Sequence, residues 1–182
     1  MDIVESIRAF KPLCEQEEQD KSFILNFIGA NPDAFLRSNS VAHMTASAWI
    51  VNPPRTETLM VYHNIYDSWS WTGGHADGER DLLSVALREC REETGVNARP
   101  VSGEIYSLEV LTVDGHEKKG HYVPSHLHLN VTYLLEADPE ECLRVCEGEN
   151  SAVRWFGLED ALKASSEPWF VKRVYAKLNS RL

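Results

Sequence analysis

The chain has 182 residues, 43% hydrophobic and 25% charged, which is ordinary for a water-soluble globular protein and long enough to bury a sizeable core. Its formal charge of −10 argues against non-specific binding to nucleic acid or an anionic membrane, so neither partner is expected, and an anionic substrate would need local cations. No stretch reaches the eighteen or so apolar residues of a membrane span, and MDIVESIRAF is acidic and amphipathic where a secretory leader would be basic and then apolar, so the cytoplasm is the expected compartment.

Residues 2–38 predict helix, which makes 1–38 a helical N-terminal extension. The DIVESIRAF turn stops near Pro12, and EEQDKSFILNFI continues with apolar Phe23, Ile24, Phe27 and Ile28 until Gly29. These apolar residues can pack on the chain's own sheet or on a second subunit, which leaves a homodimer open. Strands are predicted over 43–51 (HMTASAWIV) and 58–64 (TLMVYHN), separated by the turn-prone NPPRTE. A Gly73-Gly74 turn then leads into a Glu-rich helix that ends at Thr94-Gly95. Farther on, IYSLEVLTV (105–113) faces SHLHLNVTYLLEA (125–137) across the polar loop DGHEKKGHYVP. After the acidic EGENSA, VRWFGLEDALKA reads as strand then helix, and PWFVKRVYAKLNSRL closes the chain as another helix. No repeat or low-complexity linker interrupts this order, and one domain over 1–182 is expected.

The helix after Gly74 carries the chemistry. Glu89, Glu92 and Glu93 stand at i, i+3 and i+4, so three carboxylates share one helical face and repel one another unless a cation lies between them. A hard divalent ion with a preference for oxygen ligands, Mg²⁺ or Mn²⁺, is the natural neutraliser. A Glu/Arg-rich helix is more often a solvated face laced by i,i+4 pairs, here Arg88 with Glu92. The glycine pair in front, the terminating glycine behind and the apolar stripe of Leu83, Ala86, Leu87 and Cys90 argue for a site instead.

Residues 73–96, GGHADGERDLLSVALRECREETGV, resemble the Nudix box. Counting from Gly74, Arg88-Glu89 occupy its Arg-Glu pair, Cys90 its apolar position, Glu92-Glu93 its Glu pair, and Gly95-Val96 its last two positions. Arg80 stands at the position of the box's leading acid, with Glu79 one residue earlier, and Cys90 is smaller than the usual apolar residue. The resemblance covers roughly residues 41–165 and implies an α+β Nudix fold, a mixed β-sheet sandwiched between α-helices. It also implies metal-dependent hydrolysis of a diphosphate (phosphoanhydride) bond in a small, nucleotide-linked substrate. Under it Glu89, Glu92 and Glu93 would be metal ligands with the Gly74 carbonyl, Arg88 would orient the acids, and Glu147 or Glu149 would be the general base or an extra ligand.

Substrate-binding candidates are Trp71, His75, His126 and His128, with Trp69, Tyr66 and Tyr122 as further aromatics. His126 and His128 alternate along one strand and so face one side, where they can meet a phosphate or a metal; His43 and His63 lie near predicted sheet ends. Cys14, Cys90, Cys142 and Cys146 form no disulfide framework. Cys142 and Cys146 could share a helix face, but no CxxC pair completes a thiolate site, and no structural zinc is expected. Two alternatives stand beside hydrolysis. One is a silent ligand-binding sensor; the other is isopentenyl-diphosphate isomerase, similar in SWSWTGGHADGE, whose catalytic Cys position holds Gly73 here.

Overall fold

A computed structural model describes residues 2–118 and 120–182, so Met1 and, in the polar loop, Lys119 lie outside the described residues. Helices α1 (Ile3–Ala9) and α2 (Glu15–Ala30) open the chain. The helical expectation to residue 38 overreaches. At Asn31 the backbone turns extended (φ −127°, ψ 98°), because Pro32 crowds the α conformation of the residue before it. Residues 32–38 form turns that bury Ala34 and Phe35.

Strand β1 (Ala42–Val51) is the spine of the sheet. It pairs antiparallel with β2 (Glu57–His63) and β4 (Thr72–His75), and parallel along its whole length with β9 (His126–Glu136). β3 (Ser68–Ser70) and β10 (Asn150–Gly157) pair with β2, while β5 (Arg99–Pro100) and β6 (Ser107–Val113) pair with β9. One parallel pair among antiparallel neighbours makes the sheet mixed. The β6–β9 pairing matches the sequence expectation, but the loop between them holds a hairpin of its own, β7 (His116–Lys118) against β8 (His121–Val123). Gly73 and Gly74 also differ from expectation: they are not a turn but lie in β4, opposite Ser47 and Ala46 of β1.

Period-two alternation divides β1 between two environments. Ala42, Met44, Ala46, Ala48 and Ile50 join Leu129, Val131 and Leu135 of β9 in one core, with Leu82, Val85, Ala86 and Cys90 of α3 (Leu82–Thr94) and Ile3, Ile7 and Ile24 of the N-terminal arm. The other face runs in register across the parallel pair: His43 opposite His128, Thr45 opposite Asn130, Ser47 opposite Thr132, Trp49 opposite Leu134. Its apolar end is covered by α4 (Leu158–Ala164) and by the C-terminal segment. That segment is not one continuous α-helix, since α5 (Pro168–Phe170) passes into a π-helical turn (Val171–Tyr175) before α6 (Ala176–Asn179). Tyr175, on the π turn, stacks on Trp49 with ring centroids 5.4 Å apart, and both are fully buried. Helices thus cover both faces of a mixed sheet, the α+β arrangement expected.

The middle of the second face is polar and closed to water. Thr45 and Ser47 each donate to Asn130 Oδ1 at 2.9 Å, and Asn130 Nδ2 donates to Glu109 Oε2 at 3.1 Å. Lys177 Nζ stands 3.0 Å from Glu109 and 3.3 Å from Glu17, and Arg181 also pairs with Glu17. Both glutamates are fully buried, so their charges rely on these cations. The N-terminal arm is thereby docked on its own sheet through α2. Cys142 and Cys146 lie in an irregular segment and share no helix face. All four cysteines are free.

Candidate active site

Helix α3 starts and stops on local chemistry. Asp81 accepts the Ser84 N–H at 3.2 Å as N-cap, and Gly95 closes the helix in the left-handed region at φ 80°. Glu79 accepts from the Arg80 and Asp81 amides at 2.7 and 2.8 Å, so it braces the turn ahead of the helix. Arg80 turns away, over the Phe35 ring at 4.4 Å and within 3.2 Å of Asp2.

The three acids grade from open to enclosed. Glu92 is exposed and lies 4.0 Å from Arg88 Nε. Glu89 has only 14% of its side chain exposed and meets Arg88 Nη2 at 2.8 Å. Glu93 is buried, and its Oε1 accepts the Gly73 N–H at 2.9 Å. β4 lies directly against these carboxylates. A Cβ on Gly74 would run into the Glu89 carboxyl, and one on Gly73 into Ser47 and the Ala46 carbonyl. The glycine pair therefore lets the strand and the acidic helix approach one another.

Burial pushes the Glu93 carboxyl up to about 8, with the Gly73 N–H pulling it down and the charges of Glu89, Glu149 and Glu92 pushing it up. The Glu89 carboxyl is also raised, by burial first, against the pull of Arg88. Enclosed carboxylates with raised pKa values and an oxygen-only donor set fit a hard divalent cation, which would replace the missing countercharge. Glu149 acts on both Glu89 and Glu93, and Asn150 Nδ2 donates to the Glu93 carbonyl at 2.9 Å, fixing this loop beside the helix. Glu147 lies beyond, in an open cleft of 910 Å³ that it shares with Arg88, Glu92, Arg91 and Arg144. Arg91 and Arg144 were not singled out by sequence. The demand for local cations beside an acidic helix was the signal available.

The substrate candidates separate. Trp71 packs edge-on to Tyr175 and Phe170, at 5.8 and 6.3 Å between centroids, in the second core and away from the α3 acids. Trp69 packs against Phe156 and Tyr62, Tyr66 stacks on His63 at 4.4 Å, and Tyr122 is exposed. His75, His126 and His128 instead converge, and His43 joins them. His43 lies 5.1, 4.9 and 5.1 Å from His75, His126 and His128 between ring centroids, and His75 lies 4.9 Å from His128. Burial and the neighbouring histidines push the His128 imidazole down to about 2, and burial first lowers His43 as well.

Residues 41–178 match the family profile described as the NUDIX domain. The mouse asymmetrical bis(5'-nucleosyl)-tetraphosphatase is 34% identical over 94 residues, 51% of this chain and 58% of that protein. A Xenopus laevis m7GpppN-mRNA hydrolase is 34% identical over 113 residues, 59% of this chain and 36% of its own. The matched region thus spans little more than half of the first relative and about a third of the second. A solved NUDIX-family hydrolase from Clostridium perfringens superposes with a TM-score of 0.52 at 22% identity, covering 76% of this chain and 97% of its own, which is a likeness of fold.

Proposed function

The chain belongs to the NUDIX domain family, and from that premise we propose that it hydrolyses a diphosphate (phosphoanhydride) bond in a small, nucleotide-linked molecule, using Mg²⁺ or Mn²⁺. The observation that carries this reading is the packing of the α3 acids against β4, with Glu89 on Gly74 and Glu93 held by the Gly73 amide. Glu89, Glu92, Glu93 and the Gly74 carbonyl would hold the ion, which when bound neutralises diphosphate charge and acidifies an attacking water. Arg88 keeps Glu89 oriented through its 2.8 Å contact. Glu149, close enough to raise Glu89 and Glu93, and Glu147 at the cleft are the two candidates to take the water's proton. Arg88, Arg91 and Arg144 supply the local cations that an anionic substrate needs on a chain of net charge −10.

Relatives named for a bis(5'-nucleosyl) tetraphosphate and an m7GpppN-mRNA favour a nucleotide on at least one side of the phosphate chain. The acidic surface and the free thiols favour a small cytoplasmic substrate over nucleic acid or a membrane, and among the described residues no helix is long and apolar enough to cross one. Of the arm's apolar residues Ile24 is buried and Phe27 and Ile28 pack on the chain's own core, so Phe23 is the one left exposed for a homodimer through α2. Isomerase chemistry lacks its thiol. Gly73 provides none, and the nearby Cys90 is buried with its thiol pushed up to about 12.

The deciding experiment is a panel of nucleoside di- and triphosphates, dinucleoside polyphosphates, ADP-ribose, NADH, nucleotide sugars and prenyl diphosphates, assayed with Mg²⁺, with Mn²⁺ and in chelator. Cleavage of at least one diphosphate that chelator abolishes and metal restores is expected, with no isomerisation of prenyl diphosphate. Tight binding of a panel compound without cleavage under any metal condition would identify a silent sensor instead.

A further inference from the structure

We propose that His43, His75, His126 and His128 form a binding site for a transition-metal dication, Zn²⁺ foremost, separate from the carboxylate face of α3. The strand register builds it. His43 of β1 is the direct partner of His128 in β9, and His75 of β4 is opposite Thr45, two residues along the same face of β1. His126 precedes His128 by two and shares its side. Gly74, the neighbour of His75, faces Glu89 across the sheet, so the imidazoles and the box acids lie on opposite faces.

Three details favour a ligand set over a packed cluster. The ligand atoms of His43, His75 and His128 all lie within 4.8 Å of one another, and Nε2 of His126 is 3.2 Å from Nε2 of His128. Without metal that contact is a hydrogen bond from His128 Nε2–H to the His126 Nε2 lone pair; two nitrogens on one tetrahedral zinc, at about 2.0–2.1 Å each, stand roughly 3.3 Å apart, so an ion can replace this proton with little movement of either ring. Second, Nδ1 of His43 is 3.0 Å from the Asn39 carbonyl and Nδ1 of His126 is 2.8 Å from the Pro124 carbonyl. A carbonyl only accepts, so each Nδ1 carries the proton and each Nε2 keeps its lone pair, the tautomer in which metal-bound histidines are held. Third, His43 is only 4% exposed, and its Nε2 is buried without a hydrogen-bond partner. Burying an acceptor unsatisfied is costly, and an ion among the four rings would satisfy it.

The donor chemistry then sorts two kinds of ion. Imidazole nitrogens select Zn²⁺ and its transition-series neighbours, whereas the box carboxylates select Mg²⁺ or Mn²⁺. The cysteine spacing that argues against a structural zinc bears only on thiolate sites, whereas this set is all imidazole and includes the same-face pair His126 and His128. An ion here would tie the ends of β1, β4 and β9 together next to Gly74, where the His75 carbonyl also lies 3.5 Å from Arg88 Nη2. The site stands independently of the hydrolase reading.

The test is metal binding to the full chain after chelation and dialysis, read by calorimetric titration with Zn²⁺ and by the visible absorption of Co²⁺. One Zn²⁺ per chain is expected at micromolar affinity or tighter, with an intense tetrahedral Co²⁺ spectrum, a raised melting temperature, and no competition from excess Mg²⁺. His128→Asn should weaken binding on the order of a hundredfold, as loss of a direct ligand implies. His126→Asn, checked by circular dichroism, should also weaken it, which keeps the test open if His128→Asn does not fold. Glu92→Gln should leave Zn²⁺ binding intact. Absence of Zn²⁺ binding to the wild-type chain would overturn the proposal, as would binding that survives in folded histidine variants or is lost in Glu92→Gln.

Discussion

Replacing Glu93 by Gln should stabilise the metal-free protein while disabling it. The folded chain holds this carboxyl up to about 8 against an ordinary 4.5, chiefly because burial penalises its charge. Between those two values the folded chain keeps a proton that the unfolded chain has released, so stability falls as pH rises through the window. At about 1.4 kcal/mol per pH unit, the loss accumulated by about pH 7 is on the order of 3 kcal/mol. Gln has no charge to bury, and its Oε1 can still accept the Gly73 amide. In chelator, Glu93→Gln should therefore melt above wild type by up to roughly 10 °C near neutral pH, at about 2–4 °C per kcal/mol for a chain of this size, with the gap closing toward pH 4.5. With metal and a cleaved substrate, turnover should fall on the order of a hundredfold or more, because an anionic oxygen ligand is gone. Thermal melts of both proteins from acid to mildly alkaline pH test this. A variant that melts at or below wild type at pH 8, or a gap that ignores pH, would refute the burial argument.

Other substitutions separate packing from chemistry. Gly74→Ala should fold, because its Cβ meets only the movable end of Glu89, yet cost roughly tenfold or more in metal-dependent turnover by displacing a proposed ligand. Gly73→Ala meets the Ala46 carbonyl as well as Ser47 and should lower the melting temperature instead. Glu79→Gln should reduce activity about tenfold or less, as a brace of the turn, while Arg80→Ala should be nearly silent in the same assay. Lys177→Met should cost about 3–5 kcal/mol in denaturant unfolding, since it strands Glu109 without its nearest cation.

The elements legible in the sequence are those with local signals. The α3 helix carries its cap, its acid spacing and its terminating glycine within some fifteen residues, and the alternation in β1 and β9 marks both as strands. Thr72–His75 carries no strand signal, since two glycines read as a turn; its pairing depends on how closely β4 must approach Ser47 and Glu89. Glu17 reads as a solvated helix acid, and only the fold brings Lys177 and Arg181 to it. The histidines were half legible. Their same-face spacing in β9 is local, but the convergence with His43 needs a parallel register between residues 85 apart, the separation of the neighbouring Thr45–Asn130 bond. Trp71, which looks available for stacking on a substrate, is instead taken by the core around Tyr175.

The buried ion network also imposes an order of events on the growing polypeptide. Glu17 is made well before Arg181, which follows it by 164 residues. Until then α2 has a glutamate that cannot be dehydrated without its cations, so the helix has reason to stay in water and off the apolar edge of β6. The charge acts as a delay. The arm can settle only after the C-terminal turn arrives, when the sheet it covers has already been synthesised. Locking of the arm should thus wait on the segment that carries Lys177 and Arg181, because bringing Arg181 to Glu17 closes a loop of 164 residues.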